Sequence, residues 1–298
     1  MPLTRAWGRT ALLLATGVAL GLSMPLGKLA GGAGVGALSF ALIPAGGAAL
    51  VLGVLAWCQH GRPLRLARLM GFGAVAGLLG NAIPNSLTAW LSHSAGAGFT
   101  GLAYTLPPVF TLGLLLVLQW ERWQPLRALA VGLGLSGAVW LVGARAHGGQ
   151  LTDGAALLVL AVPLAIATGN VFRARYLPSG VPPLWMGAST AMGAFAWLLP
   201  AWVLAPSGFN AISTDGTVFL ALQVLAAAAG LTLFFQLQLR SEPVTMSFVG
   251  YVIALTAVLS GALLLGERLP LQLLPAALLI ALGFWLIQRS DTSNQPIR

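Results

Sequence analysis

The strongest constraint on this chain is a succession of apolar runs, each long enough to be a membrane-spanning helix, joined by short connections. The breaks between them place the runs at 9–28, 38–58, 67–91, 96–119, 127–143, 153–172, 183–204, 217–239, 244–265 and 270–288. An α-helix rises about 1.5 Å per residue, so about 20 apolar residues cross a hydrocarbon core of about 30 Å. Charged residues make up 7% of the chain. A soluble domain carries about 25%, and so few charges do not cover a water-facing surface. The sequence is therefore expected to form an all-α polytopic membrane protein with ten transmembrane helices.

The formal charge of +9 follows topology rather than forming a nucleic-acid patch. If the N-terminus is inside, twelve of the 15 Lys and Arg fall on the cytoplasmic side, Arg122, Arg127, Arg173 and Arg175 among them. Lys28, Arg145 and Arg268 fall on the other. Such a bias orients both termini to the cytoplasm. Arg5 and Arg9 before Ala11–Leu22 imitate a signal peptide. The segment continues to Lys28 and has a counterpart in the second half, so it is read as a retained span. The lone Cys58 excludes an internal disulfide. His60, His93 and His147 are too scattered to ligate a metal, and no cofactor is expected.

The chain repeats itself. Glu121-Arg122 follows the fourth run and Glu267-Arg268 the ninth, 146 positions later. Ser94 and Tyr104 match Ser241 and Tyr251 at an offset of 147. This divides the chain into units 1–149 and 150–298. Each unit has an odd number of spans, so the two are expected to be inverted in the membrane, a plan common among secondary transporters.

Three stretches give a family resemblance. They are Gly21-Leu-Ser-Met-Pro-Leu-Gly-Lys28, Leu106-Pro-Pro-Val-Phe-Thr111 and Leu264-Leu-Gly-Glu-Arg-Leu269. In their order and spacing they resemble the EamA branch of the drug/metabolite transporter superfamily, and the resemblance covers nearly the whole chain. It implies a ten-helix bundle around a central pathway that exports amino acids or other small metabolites. Some relatives handle aromatic amino acids, and the family also carries a lysine where this chain has Lys28. The first-half corner, Gln119-Trp-Glu-Arg122, lacks the glycine found at Gly266, and Ile253-Ala254 stands where the fourth run has Pro107-Pro108.

Polar side chains inside the runs mark the candidate pathway. Asn81, Asn85, Thr88 and Ser92 share one helical face, and Pro84 within that stripe frees a backbone carbonyl. An amide is costly against lipid, so this face looks at protein or water. Helix–helix packing and a pathway wall both satisfy that requirement. Thr100, Tyr104, Pro107-Pro108 and Thr111 repeat the pattern, and Ser247 and Tyr251 carry it in the ninth run. Helical rise places Tyr104 about 12 Å from the outer end of its run and Tyr251 about 10 Å from the inner end of its own. The pair is read as bracketing a substrate chamber, the alternative being two buried hydroxyl donors. Ser23, Met24, Thr168 and Gln236 complete the expected binding set, and Pro25, Pro84, Pro107 and Pro108 join the tyrosines as gating residues. Lys28, the only lysine, stands either at the mouth of the pathway or among the headgroups.

All six carboxylates fall near run ends or in connections, away from the midplane where coupled carriers keep an ionisable group. The chamber is expected to be uncharged, lined by amides, hydroxyls, aromatic rings and Met24. Its substrate would be an amino acid or similar metabolite, including aromatic and large neutral ones. Transport is expected to be facilitative, through a monomer or weak homodimer in a bacterial inner membrane. A proton-coupled drug or metabolite efflux carrier is the alternative within transport. Outside it stand an intramembrane enzyme, for which no H-E-x-x-H helix exists, and a non-transporting membrane subunit.

Overall fold

The computed structural model describes residues 2–63, 65–88, 104–146, 153–205, 212–241 and 243–265, with scattered positions between 275 and 286. The described elements are helical and include no strand. They are α1 (Pro2–Gly21), α2 (Ser23–Gly32), α3 (Ala37–His60), α4 (Leu66–Gly77), α5 (Pro107–Val117), α6 (Pro125–Ala146), α7 (Asp153–Tyr176), α8 (Pro183–Leu204), α9 (Thr214–Gln238), α10 (Pro243–Ser247) and α11 (Val249–Leu265). Between α4 and Thr88 the chain stays helical through a π turn at Leu78–Ala82. Among the described residues, five segments are long and apolar enough to cross a membrane: Gly8–Gly32, Ala37–His60, Leu66–Thr88, Pro183–Leu204 and Thr214–Gln238. Pro107–Val117 and Val249–Leu265 are shorter apolar helices. Outward-facing Leu50, Val117, Leu204 and Leu263 are 70% to 83% exposed, a surface suited to lipid rather than water. This is a polytopic membrane protein.

Two of the helix irregularities sit beside prolines, whereas Pro44, Pro163 and Pro200 lie inside helices that continue past them. The first run breaks at Leu22, because Pro25 has no N–H to give the Gly21 carbonyl. Pro84 likewise frees the Gly80 carbonyl, and the π turn at Leu78–Ala82 takes up the mismatch just before it. In the fourth run Pro107 and Pro108 occupy the first two positions of α5, where a missing N–H costs nothing. A turn at Tyr104–Leu106 precedes them. At the far end of α5, Gln119 takes φ 57 while Trp120 N–H reaches the Leu115 carbonyl at 2.9 Å, closing the helix before the Glu121 corner. The ninth run splits at Phe248 into α10 and α11. The tenth lies largely outside the described residues, as does Glu267-Arg268.

Helix α8 packs on α3 and α4, α9 on α1, α2 and α3, α11 on α1, and α5 on α7. The α4–α8 crossing is backbone against backbone. A Cβ on Gly73 would meet the Ser189 carbonyl, and one on Gly193 would meet that of Gly73. Close approach of this kind replaces the hydrophobic drive that lipid cannot supply between helices. Where α11 passes the turn before α5, Gly250 leaves room for the Tyr104 carbonyl oxygen in the same way. The bundle surrounds an interior space walled by α2, α3, the π turn, α8, α9 and α11.

Candidate transport cavity

That space, the open solvent at its mouth included, has a volume of about 1140 Å³. Ser23, Met24, Asn81, Asn85, Thr88 and Tyr104, distant in sequence, meet on its wall. The π turn carries Asn81 and the segment after it carries Asn85 and Thr88, so the proline-driven irregularity presents this polar stripe. Thr88 Oγ1 donates to the Pro84 carbonyl at 2.7 Å, occupying an acceptor beside the proline. The Tyr104 phenol hydrogen-bonds Thr88. Across the cavity, Gln223 Nε2 donates to Ser23 Oγ at 2.6 Å, while its Oε1 is buried without a partner.

A second cavity of about 610 Å³ shares Gly80, Asn81 and Tyr104 with the first and extends toward Asn170, Arg173, Thr190 and Ser247. Here the expectation of an uncharged chamber fails. Arg173, counted from sequence with the cations of the cytoplasmic connections, is 3% exposed and lines this cavity. Its Nη2 donates to Asn170 Oδ1 at 2.6 Å, and its Cζ lies 4.9 Å from the centre of the Phe234 ring. Asn170 Nδ2 donates to Ser247 Oγ at 3.1 Å, and Ser247 in turn donates to Thr111 Oγ1 at 2.9 Å. The physical reason is helical phase. Arg173 stands one turn after Asn170 on the inner face of α7, whereas Arg175 points away, over the Trp120 ring at 5.9 Å. A count of cations by connection merges these two environments.

The other sequence-marked residues are placed as follows. Pro107 lines the second cavity, while Pro25, Pro84 and Pro108 are buried behind the walls. Thr168 turns its hydroxyl back to the Leu164 carbonyl at 2.8 Å and lines neither cavity, nor does half-buried Gln236. Lys28 is exposed and away from both walls. Tyr251 is 1% exposed, edge-on to Phe248 at 5.0 Å, and lines neither space. The two tyrosines related by sequence therefore occupy unlike positions: one on the cavity wall, the other in the packed core. Thr100 lies outside the described residues.

Sequence reasoning missed Gln223, Asn170, Arg173 and Thr190. The signal for Asn170 and Arg173 was their spacing of three on one helix, the same kind of periodicity that marked Asn81 and Asn85. Gln223 carried a weaker one, a single amide in the apolar stretch from Val218 to Gly230.

The Glu-Arg corner lies away from both cavities. Glu121 accepts a hydrogen bond not from its neighbour Arg122 but from Nη1 of Arg127 in the first turn of α6. The pair is nearly buried, 3% exposed at the arginine side chain and 13% at the carboxylate.

Comparison with known proteins agrees with this architecture. Residues 9–143 match the family described as the EamA-like transporter family. A solved crystal structure superposes with a TM-score of 0.70, covering 95% of this chain and 98% of that chain at 19% identity, a likeness of fold alone. No curated protein matches the sequence.

Proposed function

Since the chain belongs to the EamA-like transporter family through residues 9–143, and with it to the drug/metabolite transporter superfamily, we propose that the paired cavities are the substrate chamber of an alternating-access exporter of amino acids. Transport of small metabolites across a membrane is the activity of the family; amino acids, export and mechanism are this reading's own additions. The observation that carries it is the convergence of Ser23, Asn81, Asn85, Thr88 and Tyr104 on one interior wall, in a protein whose outer surface is apolar.

Inversion of the two units is supported by the packing pattern. Exchanging first-unit with second-unit spans turns the α4–α8 contact into α3–α9, and the α1–α11 contact into α5–α7. All four occur, and α3–α8 maps onto itself. Two halves related in this way offer a chamber at their junction and two equivalent ways of closing it. Facilitated rather than carboxylate-coupled transport rests on the positions of the six carboxylates, all near run ends. A bacterial inner membrane is the setting that fits the orientation of cationic residues.

The test is counterflow of labelled phenylalanine, tryptophan and threonine in proteoliposomes, with and without an imposed pH gradient, alongside Tyr104→Ala. Saturable exchange that ignores the gradient and falls at least about tenfold in Tyr104→Ala supports the reading. Gradient-driven accumulation replaces facilitation with proton coupling. Absence of flux for all three removes amino acids from the proposal.

A further inference from the structure

A buried cation without a carboxylate is costly in a membrane protein. Removing an ion of this size from water costs several kcal/mol even after relaxation, and proteins seldom leave such a charge uncompensated. Among the described residues, no carboxylate pairs with Arg173. It is held by one neutral amide and one ring face, Asn170 and Phe234, while its Nε–H has no acceptor. A guanidinium has five N–H donors and stays protonated at physiological pH, so this one has more donors than partners.

The surroundings keep that group in reach of the chamber. Gly80 lines both cavities, and a Cβ there would run into Nη1 of Arg173. The missing side chain lets the guanidinium stand against the wall the two spaces share. Asn170, fixed by Ser247 and Thr111, sets its orientation.

We propose that Arg173 is the docking group for the carboxylate of the transported solute, which makes the substrate class small organic carboxylates with an apolar part. The proposal rests on the transporter reading above and deepens it. A carboxylate fits better than a phosphate. The described lining of both cavities contains one cation, and a dianion would call for more than one. Ile166, Phe234, Phe235 and Met246 around the arginine suit the apolar part. The unpartnered Oε1 of Gln223 in the adjoining cavity is an acceptor suited to an ammonium, which brings amino acids within the class. An incoming carboxylate then meets the Arg173 charge, for which the described residues supply no counter-charge.

The experiment compares acids with their carboxamides on the purified full chain. Thermal shifts in detergent are titrated with phenylalanine, threonine and 3-phenylpropionate, and with phenylalaninamide, threoninamide and 3-phenylpropionamide. Wild type, Arg173→Gln, Arg173→Lys and Gly80→Ala are compared, and counterflow of the same solutes is measured in proteoliposomes. At least one acid should bind about tenfold or more tightly than its amide, the scale of one charge-assisted hydrogen bond. Arg173→Gln should abolish that preference, Arg173→Lys should keep part of it, and Gly80→Ala should weaken it with the charge still present. Equal binding of acid and amide, a preference that survives Arg173→Gln, or no acid bound by the wild type each overturns the proposal. Flux of amides or amines with no acid preference would leave a transporter without this docking group. Acid binding that depends on Arg173 without any flux would leave the docking group and remove transport.

Discussion

Two arginines in this molecule are equally buried, each 3% exposed, and their surroundings differ in kind. Arg127 opens α6 and is met by the carboxylate of Glu121, six residues earlier, across the turn that leaves α5. Arg173 lies on the inner face of α7 and is met by an amide, a ring and a cavity. The first charge is met by a carboxylate within the chain, which ties α5 to α6. The second is incomplete, so it answers to whatever enters the chamber. What separates a brace from a docking group is where the opposite charge comes from, not how deeply the arginine is buried.

The largest effect should come from breaking the brace. Glu121→Ala strands a buried guanidinium, and loss of one partner of such a pair costs about 3–5 kcal/mol. A large fall in Tm in detergent is expected, with carboxylate preference in the remaining folded protein unchanged. Arg173→Gln should show the opposite profile, with modest change in Tm and loss of preference. Joint replacement, Glu121→Leu with Arg127→Leu, should recover much of the lost stability, since a matched apolar pair is often no worse than a buried ion pair. If Glu121→Ala melts no lower than Arg173→Gln, the contrast between the two arginines collapses.

A smaller effect is expected at the hinge of the comparison. Among the described residues, Asn170 is the one side chain that accepts a hydrogen bond from Arg173, and Asn170→Ala removes both that acceptor and the link to Ser247. Hydrogen bonds to charged groups contribute about 1.5–3 kcal/mol. Tm should therefore fall less than in Glu121→Ala. Because the charge remains, preference for acids over amides should narrow without vanishing. A complete loss equal to that of Arg173→Gln would mean that orientation, not charge, carries recognition.

Much of the chamber was legible in the sequence because one helix presents it. Asn81, Asn85 and Thr88 recur at helical spacing around Pro84, and both the polar face and the irregular backbone follow from those residue types. Arg173 was not legible, because a cation near the end of an apolar run satisfies the same topological rule whether it faces headgroups or interior. Only the phase of α7 against α9 and the π turn decides. Gln223 depended on a partner 200 positions away at Ser23, a separation no local pattern reports. Element positions were mostly readable from apolar length, as at Pro183–Leu204. The helix break at Phe248 was not, since hydropathy is continuous across it and no proline stands within the next turn.

The smallest effect is expected at Tyr251, and it separates two regions that the sequence made look alike. Tyr104 and Tyr251 match at the repeat offset, yet Tyr104 reaches Thr88 on the cavity wall while Tyr251 is packed against Phe248. The Tyr251 hydroxyl is buried with no hydrogen-bond partner. Replacing it by Phe removes a polar atom whose burial is uncompensated and keeps the ring, so Tyr251→Phe should leave stability within about 0.5 kcal/mol of wild type or raise it. Tyr104→Phe should instead lower flux, since it removes the hydroxyl that joins the turn before α5 to the polar stripe. Equal loss of flux in the two Phe variants would mean that Tyr251 meets the chamber when the protein opens to its other side. The pair would then be related by motion, although this conformation keeps Tyr104 and not Tyr251 at the wall.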